Sequence, residues 1–304
     1  MKKLMAVGLL CLSMLAFGKD YSQYKSNILV SPETAKEIIE KQKDVVVIDV
    51  RPGVKFMTGN VKGSYNLWRP DMEPQDKRYG EIGGMRASRE ELEKEFNNMG
   101  ITNDTTLVLV GDNLDEYRLW WILDLYNGSK NIKIVDGGFA ALKETGIATK
   151  MGGEADAKKG NFKFPQGDKD TLMTCEELKK DLNNKEYVIV DTRSEGEHLG
   201  KELKKGAFLE GTIPNSVWIE WTQTLDAKKQ MKSFDELTTL YEKNGVTKDK
   251  TIVPYCQSAV RSAHTTFVLK ELLGYPTVKN YDGSWIEWSC EAKKGNVEII
   301  NGKK

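Results

Sequence analysis

The chain has 304 residues, about twice the length of an ordinary single domain, so two domains are the default expectation. Its 45 lysine and arginine residues balance its 45 aspartate and glutamate residues, and charged residues make up 30% of the chain. This balance argues against a basic face for nucleic acid or for an anionic membrane, while an apolar fraction of 39% suffices for two ordinary cores.

The first residues, MKKLMAVGLLCLSMLAFG, have the form of a secretory signal. Two lysines precede an apolar stretch from Leu4 to Phe17, and the small residues Ala16 and Gly18 are spaced as at a cleavage site. The stretch is short for a membrane span. We therefore expect a signal peptide over residues 1–18 and a periplasmic or secreted protein, with no stable membrane insertion after cleavage. An uncleaved N-terminal anchor is the alternative.

The first half of the chain, over residues 26–148, alternates helix-like and strand-like segments. SPETAKEIIEKQ (31–42) places a cap residue before an amphipathic stretch and predicts a helix. VVVIDVR (45–51) and TTLVLVGD (105–112) predict strands, and IKIVDGGFAAL (132–142) closes this half. Alternation of this kind predicts a mainly parallel β-sheet flanked by helices.

The second half repeats the first. Residues 149–170 are rich in glycine, lysine and aspartate and are predicted as a linker, and residues 171–295 follow it. There TCEELKKDLNN, YVIVDTR, KTIVPYCQ and VKNYDGSWIEW match the four segments of the first half in the same order, at offsets near 142 to 152 residues. The predicted fold class is therefore α/β, with two similar domains.

Export limits the roles open to the cysteines. Once the signal peptide is removed, Cys175, Cys256 and Cys290 remain, and an odd count in an oxidising compartment leaves at least one thiol unpaired. A disulfide between Cys175 and Cys290 stays open. With only His198 and His264, and with no CxxC pair, a zinc site or a Ser-His-Asp triad has few residues to draw on. We expect no metal and no cofactor, so any special chemistry falls on a lone thiol.

Cys256 stands at a position where α/β proteins place such chemistry. The segment VPYCQSAVRSA puts it between the strand TIVPY and a helix predicted over SAHTTFVLKELLG, at the carboxyl end of a strand where ligands bind. Lowering a thiol pKa from about 8.5 to about 6.5 needs roughly 2.7 kcal/mol, whereas a helix N-terminus supplies at most ~2 kcal/mol. Loop N–H groups and a fixed cation must supply the rest, and Arg261 is the candidate cation.

The first half has no thiol at the matching turn. Its sequence there is VGDNLDEYRLWW, which we interpret as placing Asp112 near the position of the cysteine and Arg118 near that of Arg261. A carboxylate cannot act as a sulfur nucleophile. We therefore expect the first domain to be catalytically silent and the second to be catalytic.

In this order, the motifs resemble those of the tandem-domain rhodanese family of sulfurtransferases. The resemblance rests on the paired strands IDVR and VDTR, the turns GNVKGS and GTIPNS, the endings DGGF and DGSW, and the single cysteine loop CQSAVR. It implies a thiosulfate sulfurtransferase in which a sulfane sulfur moves from a small anionic donor to a cysteine persulfide. The acceptor would then be cyanide, a small thiol or a redox protein.

The resemblance also implies a role for each residue around the thiol. Cys256 would carry the sulfur and the Arg261 side chain would attract the donor. Arg193 is a weaker donor-binding candidate, and its alternative role is a salt bridge to Asp191 or Glu195. The backbone amides that would cradle the terminal sulfur belong to the residues that follow the cysteine, namely Gln257, Ser258, Ala259, Val260 and Arg261.

Two departures from the family leave the donor open. The loop CQSAVR does not match the CGSGVT loop of members that act on mercaptopyruvate, and its cation suits thiosulfate better. The histidine that family members carry in a GHIP turn is Thr212 here. A 3-mercaptopyruvate sulfurtransferase is therefore an alternative.

Two further alternatives come from other classes of protein. A cysteine-dependent phosphatase also places a thiol and an arginine in a loop before a helix, but it separates them by five residues, and only four lie between Cys256 and Arg261. One residue of chain spans ~3.5 Å, enough to change which anion the loop admits. A binding module or sulfur carrier without turnover is the other alternative.

Overall fold

The computed structural model describes residues 19–128, 130–156 and 159–302, so the predicted signal peptide lies outside the described residues. Each half of the chain forms its own β-sheet with helices on both faces. The predicted fold class is confirmed. Within the described residues, no helix is both long enough and apolar enough to cross a membrane.

The main sheet of the first domain has five parallel strands, and two further short strands pair with each other. Its strands are β1 (Leu29–Val30), β2 (Val45–Asp49), β3 (Asn60–Val61), β4 (Tyr65–Asn66), β5 (Thr106–Val110), β6 (Ile132–Val135) and β7 (Thr149–Lys150). Its helices are α1 (Pro32–Lys41), α2 (Gly53–Thr58), α3 (Arg89–Asn98), α4 (Asp115–Leu125) and α5 (Gly138–Glu144). The main sheet has the order β1–β6–β5–β2–β4, and β3 pairs antiparallel with β7.

The second domain repeats this topology. Its strands are β8 (Leu172–Met173), β9 (Tyr187–Asp191), β10 (Val217–Trp218), β11 (Thr251–Tyr255) and β12 (Asn280–Tyr281). Its helices are α6 (Cys175–Asp181), α7 (Glu195–His198), α8 (Phe234–Glu242), α9 (Arg261–Phe267) and α10 (Ser284–Lys293). Strands β10, β9 and β11 are parallel neighbours, and a bridge between Ile252 and Val278 joins β11 to the pair formed by β12 and β8. The strand order therefore matches that of the first domain.

Local sequence sets where the helices begin. The Ser31 side chain caps α1, and capping boxes of the form S/T-x-x-E start α3, α6, α7 and α8. Helix α9 ends at Phe267, and residues 268–272 continue it as a π-helix. The helices predicted from SPETAKEIIEKQ, TCEELKKDLNN and SAHTTFVLKELLG are thus present.

Residues 149–170, predicted as the linker, pack along the first domain where they are described. Phe162 and Phe164 are buried and make aromatic contacts with Phe96 of α3. Arg89 donates hydrogen bonds to the carbonyls of Pro165 and Gly167. These contacts hold the connecting segment against α3 of the first domain.

The two domains meet at the helices that follow their equivalent loops. Tyr117 of α4 makes an edge contact with His264 of α9 at 4.7 Å, and Trp120 of α4 meets Phe267 of α9 at 5.0 Å. Helix α4 is buried along its whole length. Since α9 begins immediately after the cysteine loop, this packing brings the first domain against that loop.

Candidate functional site

Cys256 is the first residue after β11 and lies at the carboxyl end of the second sheet. The loop of residues 256–260 connects this strand to α9, which begins at Arg261. The cysteine is buried, with 1% of its surface exposed. The Ser262 hydroxyl lies 3.7 Å from the sulfur and donates a hydrogen bond to it. The predicted strand–thiol–helix order is present, with the thiol enclosed by its own loop.

One serine side chain organises the backbone of this loop. Ser284, at the start of α10, accepts hydrogen bonds through its hydroxyl oxygen from the amides of Cys256 and Ala259, each at 3.2 Å. The carbonyls of Cys256 and Gln257 accept from the amides of Trp285 and Ile286. With these carbonyls turned toward α10, the amides of Ser258 and Ser262 are left to bond the sulfur.

The predicted cradle therefore needs one correction. The amide of Ala259 donates to Ser284 and is not free to bond a sulfur atom. Ala259 adopts φ of 54°, in the left-handed region. Local sequence does not reveal this, because the acceptor comes from a different element.

The surroundings of the thiol favour its ionised form. Burial by itself raises the pKa of Cys256, since a charge is harder to hold away from water. The positive charge of Arg261 and the hydrogen bonds from Ser262 and the Ser258 amide outweigh burial. The pKa of Cys256 consequently lies below its ordinary value, in agreement with the cation and N–H groups expected from the sequence.

Arg261 does not present a free guanidinium group. Its Nη1 and Nη2 atoms form a bidentate ion pair with the Glu197 carboxylate, at 2.6 and 2.9 Å. Glu197 is buried, and it also accepts from the amide and hydroxyl of Ser194 as part of the capping box of α7. The sequence reasoning missed Glu197. Its signal was present in the S-x-x-E spacing, which predicts the cap but says nothing of the arginine.

Arg193 has the structural role that was its alternative interpretation. Its guanidinium group pairs with Asp191, bonds the carbonyl of Gly211, and is 1% exposed. Arg51 makes the equivalent bonds to Asp49 and Gly59 in the first domain, which has no thiol. Because the same pair occurs in both halves, it belongs to the fold, and donor binding by Arg193 stays a prediction.

A hydrogen-bonded network supports the strand that carries the thiol. The Tyr255 hydroxyl donates to Asp191 at 2.8 Å, and Thr212 and His198 also contact this carboxylate, each at 3.0 Å. Burial would raise the pKa of Asp191, but the bond to His198 and the charge of Arg193 hold it well below its usual range. The imidazole of His198, on α7, thus contacts the Asp191 carboxylate, although the turn in which family members carry a histidine has Thr212 here.

The remaining predicted loop residues are its walls. The side-chain amide of Gln257 donates a hydrogen bond to the carbonyl of Lys205 at 3.2 Å. Ser258 packs against Gly84 of the first domain so closely that a Cβ atom at Gly84 would lie 2.6 Å from the Ser258 Cβ. Val260 directly precedes α9. These contacts close the loop from two sides.

The other described cysteines play no part in this site. Cys175 and Cys290 are buried and free, so no disulfide joins them. Burial raises the pKa of the Cys175 thiol to about 11, which makes it a poor nucleophile. The described residues contain no cluster of three or more histidine, cysteine, aspartate or glutamate side chains that could hold a metal ion.

The first domain keeps the shape of the loop without the thiol. Val110 at the end of β5 pairs with Asp49, as Tyr255 pairs with Asp191, so Gly111 occupies the position of Cys256. The carbonyl of Gly111 accepts from the amide of Phe139, just as that of Cys256 accepts from Trp285. Asp112, which the sequence places near this position, is the next residue along the chain.

The position of Arg261 is also filled by a different residue than expected. Counting from Gly111, Glu116 occupies it, and Leu114 has the left-handed backbone found at Ala259, with φ of 72°. A Cβ atom at Gly111 would lie 1.9 Å from the Glu116 Oε2 atom. The carboxyl group of Glu116 thus fills the space where a cysteine side chain would begin.

Comparisons with known sequences agree with the two-domain architecture. The sequence model of the family described as "Rhodanese-like domain" matches residues 31–145 and again residues 174–291. The chain is 34% identical over 278 residues to the sulfur carrier protein TtuD of Thermus thermophilus, covering 86% of this chain and 93% of that protein. It is 29% identical over 273 residues to a Mycolicibacterium smegmatis protein named, provisionally, as a thiosulfate sulfurtransferase, covering 87% and 95%.

Solved structures share the fold. The anaerobic ergothioneine biosynthesis enzyme from Chlorobium limicola, in complex with trimethyl histidine, matches with a TM-score of 0.76 and 20% identity, covering 91% of this chain and 71% of that one. The crystal structure of YnjE matches with a TM-score of 0.76 and 21% identity, covering 91% and 69%. At this identity the likeness concerns the fold alone.

Proposed function

Because the chain belongs to the rhodanese sulfurtransferase family, with two rhodanese-like domains in tandem, we propose that it transfers a sulfane sulfur from thiosulfate or a similar donor, through a Cys256 persulfide, to cyanide or a thiol. The observation that carries this proposal is the buried thiol whose pKa is lowered by Arg261, Ser262 and the Ser258 amide. An inert core cysteine needs none of these groups.

The first half-reaction is an attack on the donor. The Cys256 thiolate attacks the outer sulfur of thiosulfate and forms a new S–S bond, while the bond inside thiosulfate breaks and sulfite leaves with its electron pair. The product is a cysteine persulfide that carries the negative charge. Amides of the loop that are not bonded to Ser284 would stabilise that charge, as backbone N–H groups stabilise developing anions in other enzymes.

The second half-reaction returns the enzyme to its starting state. A nucleophile attacks the terminal sulfur of the persulfide, so that its electron pair forms the new bond and the Cys256 thiolate leaves. Cyanide would give thiocyanate, and a thiolate would give a new persulfide on the acceptor. The depressed pKa of Cys256 helps here also, because a more stable thiolate is a better leaving group.

The donor is inferred from size and charge. Cys256 is 1% exposed, which favours a donor whose reactive sulfur is a slim terminal atom. Arg261 supports an anionic donor, although Glu197 already neutralises much of its charge. Thiosulfate meets both conditions, and the name of the mycobacterial relative supports it. 3-Mercaptopyruvate is the alternative donor.

A second candidate function is sulfur carriage without efficient turnover. One relative, with 34% identity across most of both chains, is named a sulfur carrier protein. In that role the Cys256 persulfide would form as above and would be delivered to one protein acceptor. The distinction lies in the second half-reaction, so it is a kinetic question.

We also propose that the protein is exported and that the first domain is catalytically silent. The two lysines and the apolar stretch at the N-terminus support export, and Gly111 in place of a cysteine supports silence. N-terminal sequencing of protein recovered from the periplasm tests the first proposal. A mature chain that begins near Lys19 is expected, and a chain that still begins at Met1 would contradict it.

Mass spectrometry of the mature protein tests the sulfur chemistry. Incubation with thiosulfate is expected to add one sulfur atom, about 32 Da, to the peptide that contains Cys256, and cyanide is expected to remove it as thiocyanate appears. Cys256→Ser should gain no sulfur, whereas Cys290→Ser, a change at another buried free thiol, should behave as the wild type. Many thiocyanate molecules per enzyme indicate an enzyme, and a stable persulfide with slow release indicates a carrier. A thiol that reacts with iodoacetamide but takes no sulfur from thiosulfate or mercaptopyruvate would overturn the proposal.

A further inference from the structure

The first domain touches the cysteine loop of the second directly. Gly84 lies against Ser258, and Arg118 of α4 donates a long hydrogen bond of 3.4 Å to the carbonyl of Ala259. Arg118 is 2% exposed and also donates to the Gly84 carbonyl at 2.9 Å. A buried arginine thus joins a segment of its own domain to the backbone that encloses the thiol.

The same arginine holds a buried carboxylate of the second domain. Arg118 Nη2 lies 2.7 Å from Oδ1 of Asp282, and Arg86 Nη1 lies 2.8 Å from Oδ2. The Arg86 amide also donates to this carboxylate. Burial raises the pKa of Asp282, but the two guanidinium groups outweigh it, so the pKa lies below its ordinary value and the carboxylate is charged. Two cations from one domain therefore hold one anion of the other.

Asp282 is two residues before the serine that organises the loop. Ser284 follows in the turn that starts α10, it is fully buried, and its backbone has φ of 49°. A non-glycine residue in this region is strained and needs its surroundings to hold it there. The ion pairs on Asp282 anchor one side of the turn. In the same turn, the hydroxyl oxygen of Ser284 accepts hydrogen bonds from the amides of Cys256 and Ala259.

We propose that the first domain is a positioning element for the sulfur-transfer site, in which Arg118 and Arg86 hold Asp282 so that Ser284 fixes the backbone of the Cys256 loop. This inference rests on the proposed function and gives the silent domain a part in it. Neither arginine touches the sulfur, so both are positioning residues. Arg86 acts through Asp282, and Arg118 acts through Asp282 and through its own bond to the Ala259 carbonyl. The preorganised loop amides are what the reaction uses.

The test is the alkylation of Cys256 in the full-length Arg118→Met variant. Methionine keeps the apolar length of the side chain but removes the donors to Asp282, Ala259 and Gly84. Loosened loop amides stabilise the thiolate less, so the midpoint of the iodoacetamide alkylation profile of Cys256 against pH should rise by about one, and the thiolate fraction at pH 7 should fall. The kcat of thiosulfate:cyanide transfer should fall with it, while KM for thiosulfate changes less, because donor contacts lie elsewhere.

The matched control is Arg89→Met. Arg89 is an arginine of the same domain that pairs with Asp168 and stacks on Tyr126, without contact to the second-domain loop. The Arg89→Met variant should be less stable than the wild type, and its profile of Cys256 alkylation against pH should be unchanged. Should Arg118→Met fail to fold, Arg86→Met tests the same carboxylate with a smaller expected effect in the same direction.

The outcomes separate this inference from the proposed function. Arg118 and Arg86 variants that fold and keep the wild-type alkylation profile would overturn the positioning role, whatever the activity. A wild-type protein that takes no sulfur from thiosulfate, combined with a shifted profile in Arg118→Met, would overturn the donor assignment and support the positioning of a reactive thiol.

Discussion

Glu116→Gln tests whether the Glu116 carboxyl group, which lies in the first domain at the loop equivalent to the Cys256 loop, is neutral in the folded protein. The Glu116 carboxyl group is buried, and its Oε2 atom has no hydrogen-bond partner among the described residues. Burial, together with the nearby carboxylates of Asp115, Asp112 and Asp49, raises its pKa from 4.5 to about 8 against a hydrogen bond from its own amide. Glutamine has nearly the same shape and cannot ionise.

The sign of the effect follows from linkage. Below about pH 4.5, Glu116 is neutral in both states and has no effect on the pH dependence of stability. Between 4.5 and about 8, the unfolded chain ionises and the folded chain does not, so the free energy of unfolding falls as the pH rises. The fall is about 1.4 kcal/mol for each step of one in pH across this window, so the loss reaches about 5 kcal/mol above pH 8.

The assay is guanidinium unfolding at pH 5, 7 and 9, followed by tryptophan fluorescence, to which Trp120 and Trp121 on the same helix as Glu116 contribute. We expect Glu116→Gln to be close to the wild type at pH 5 and more stable by several kcal/mol at pH 9. Glu37→Gln, at an exposed ion pair with Lys41, is the control and should show no such trend. An equal stability difference between Glu116→Gln and the wild type at pH 5 and pH 9 would refute the reasoning.

Three further outcomes are expected. Glu197→Gln removes the charge that neutralises Arg261, so the pKa of Cys256 and the KM for thiosulfate should both fall; Glu177→Gln, in the equivalent capping box of α6, is the control and should change neither. Arg261→Met should raise the pH midpoint of iodoacetamide alkylation of Cys256 and should lower stability by ~3 kcal/mol, because it leaves Glu197 buried without its partner; an unchanged midpoint would contradict the role of the cation. His264, whose pKa burial lowers from 6.5 to about 3, is neutral in the folded state, so the wild type should lose stability as the pH falls from 6.5 toward 3. Acid unfolding of His264→Phe should lack that loss, and an identical pH dependence in the two proteins would count against a buried neutral imidazole.

Much of the fold could be predicted because its signals are local. The strand-like run before Asp191, the cap at Thr174 and the order of elements depend on residues within one or two turns of each other. The duplication then made each half a check on the other. The position of Cys256 between a strand and a helix was predictable on the same basis.

The partners of the charged residues were not predictable in this way. Arg261 was expected to face the donor, but it is paired with Glu197, a residue 64 positions earlier in the chain. Arg193 could be assigned to either of two roles until its partner was known. The exact alignment of the two loops also needed the structure, because the sequence put Asp112 near the position of the cysteine and only the strand register places Gly111 opposite Cys256.

By itself, the sequence determined that this protein has two similar α/β domains and that its candidate chemistry belongs to one thiol before one helix. Periodicity, caps and a repeat are properties of neighbouring residues, so they can be read without coordinates. The tertiary structure decided which N–H groups face the sulfur, which carboxylate neutralises the cation, and how the silent domain reaches the active loop. Those features depend on contacts such as Arg86 with Asp282, 196 positions apart. Tertiary packing brings such distant residues together, which is why no local pattern predicted them.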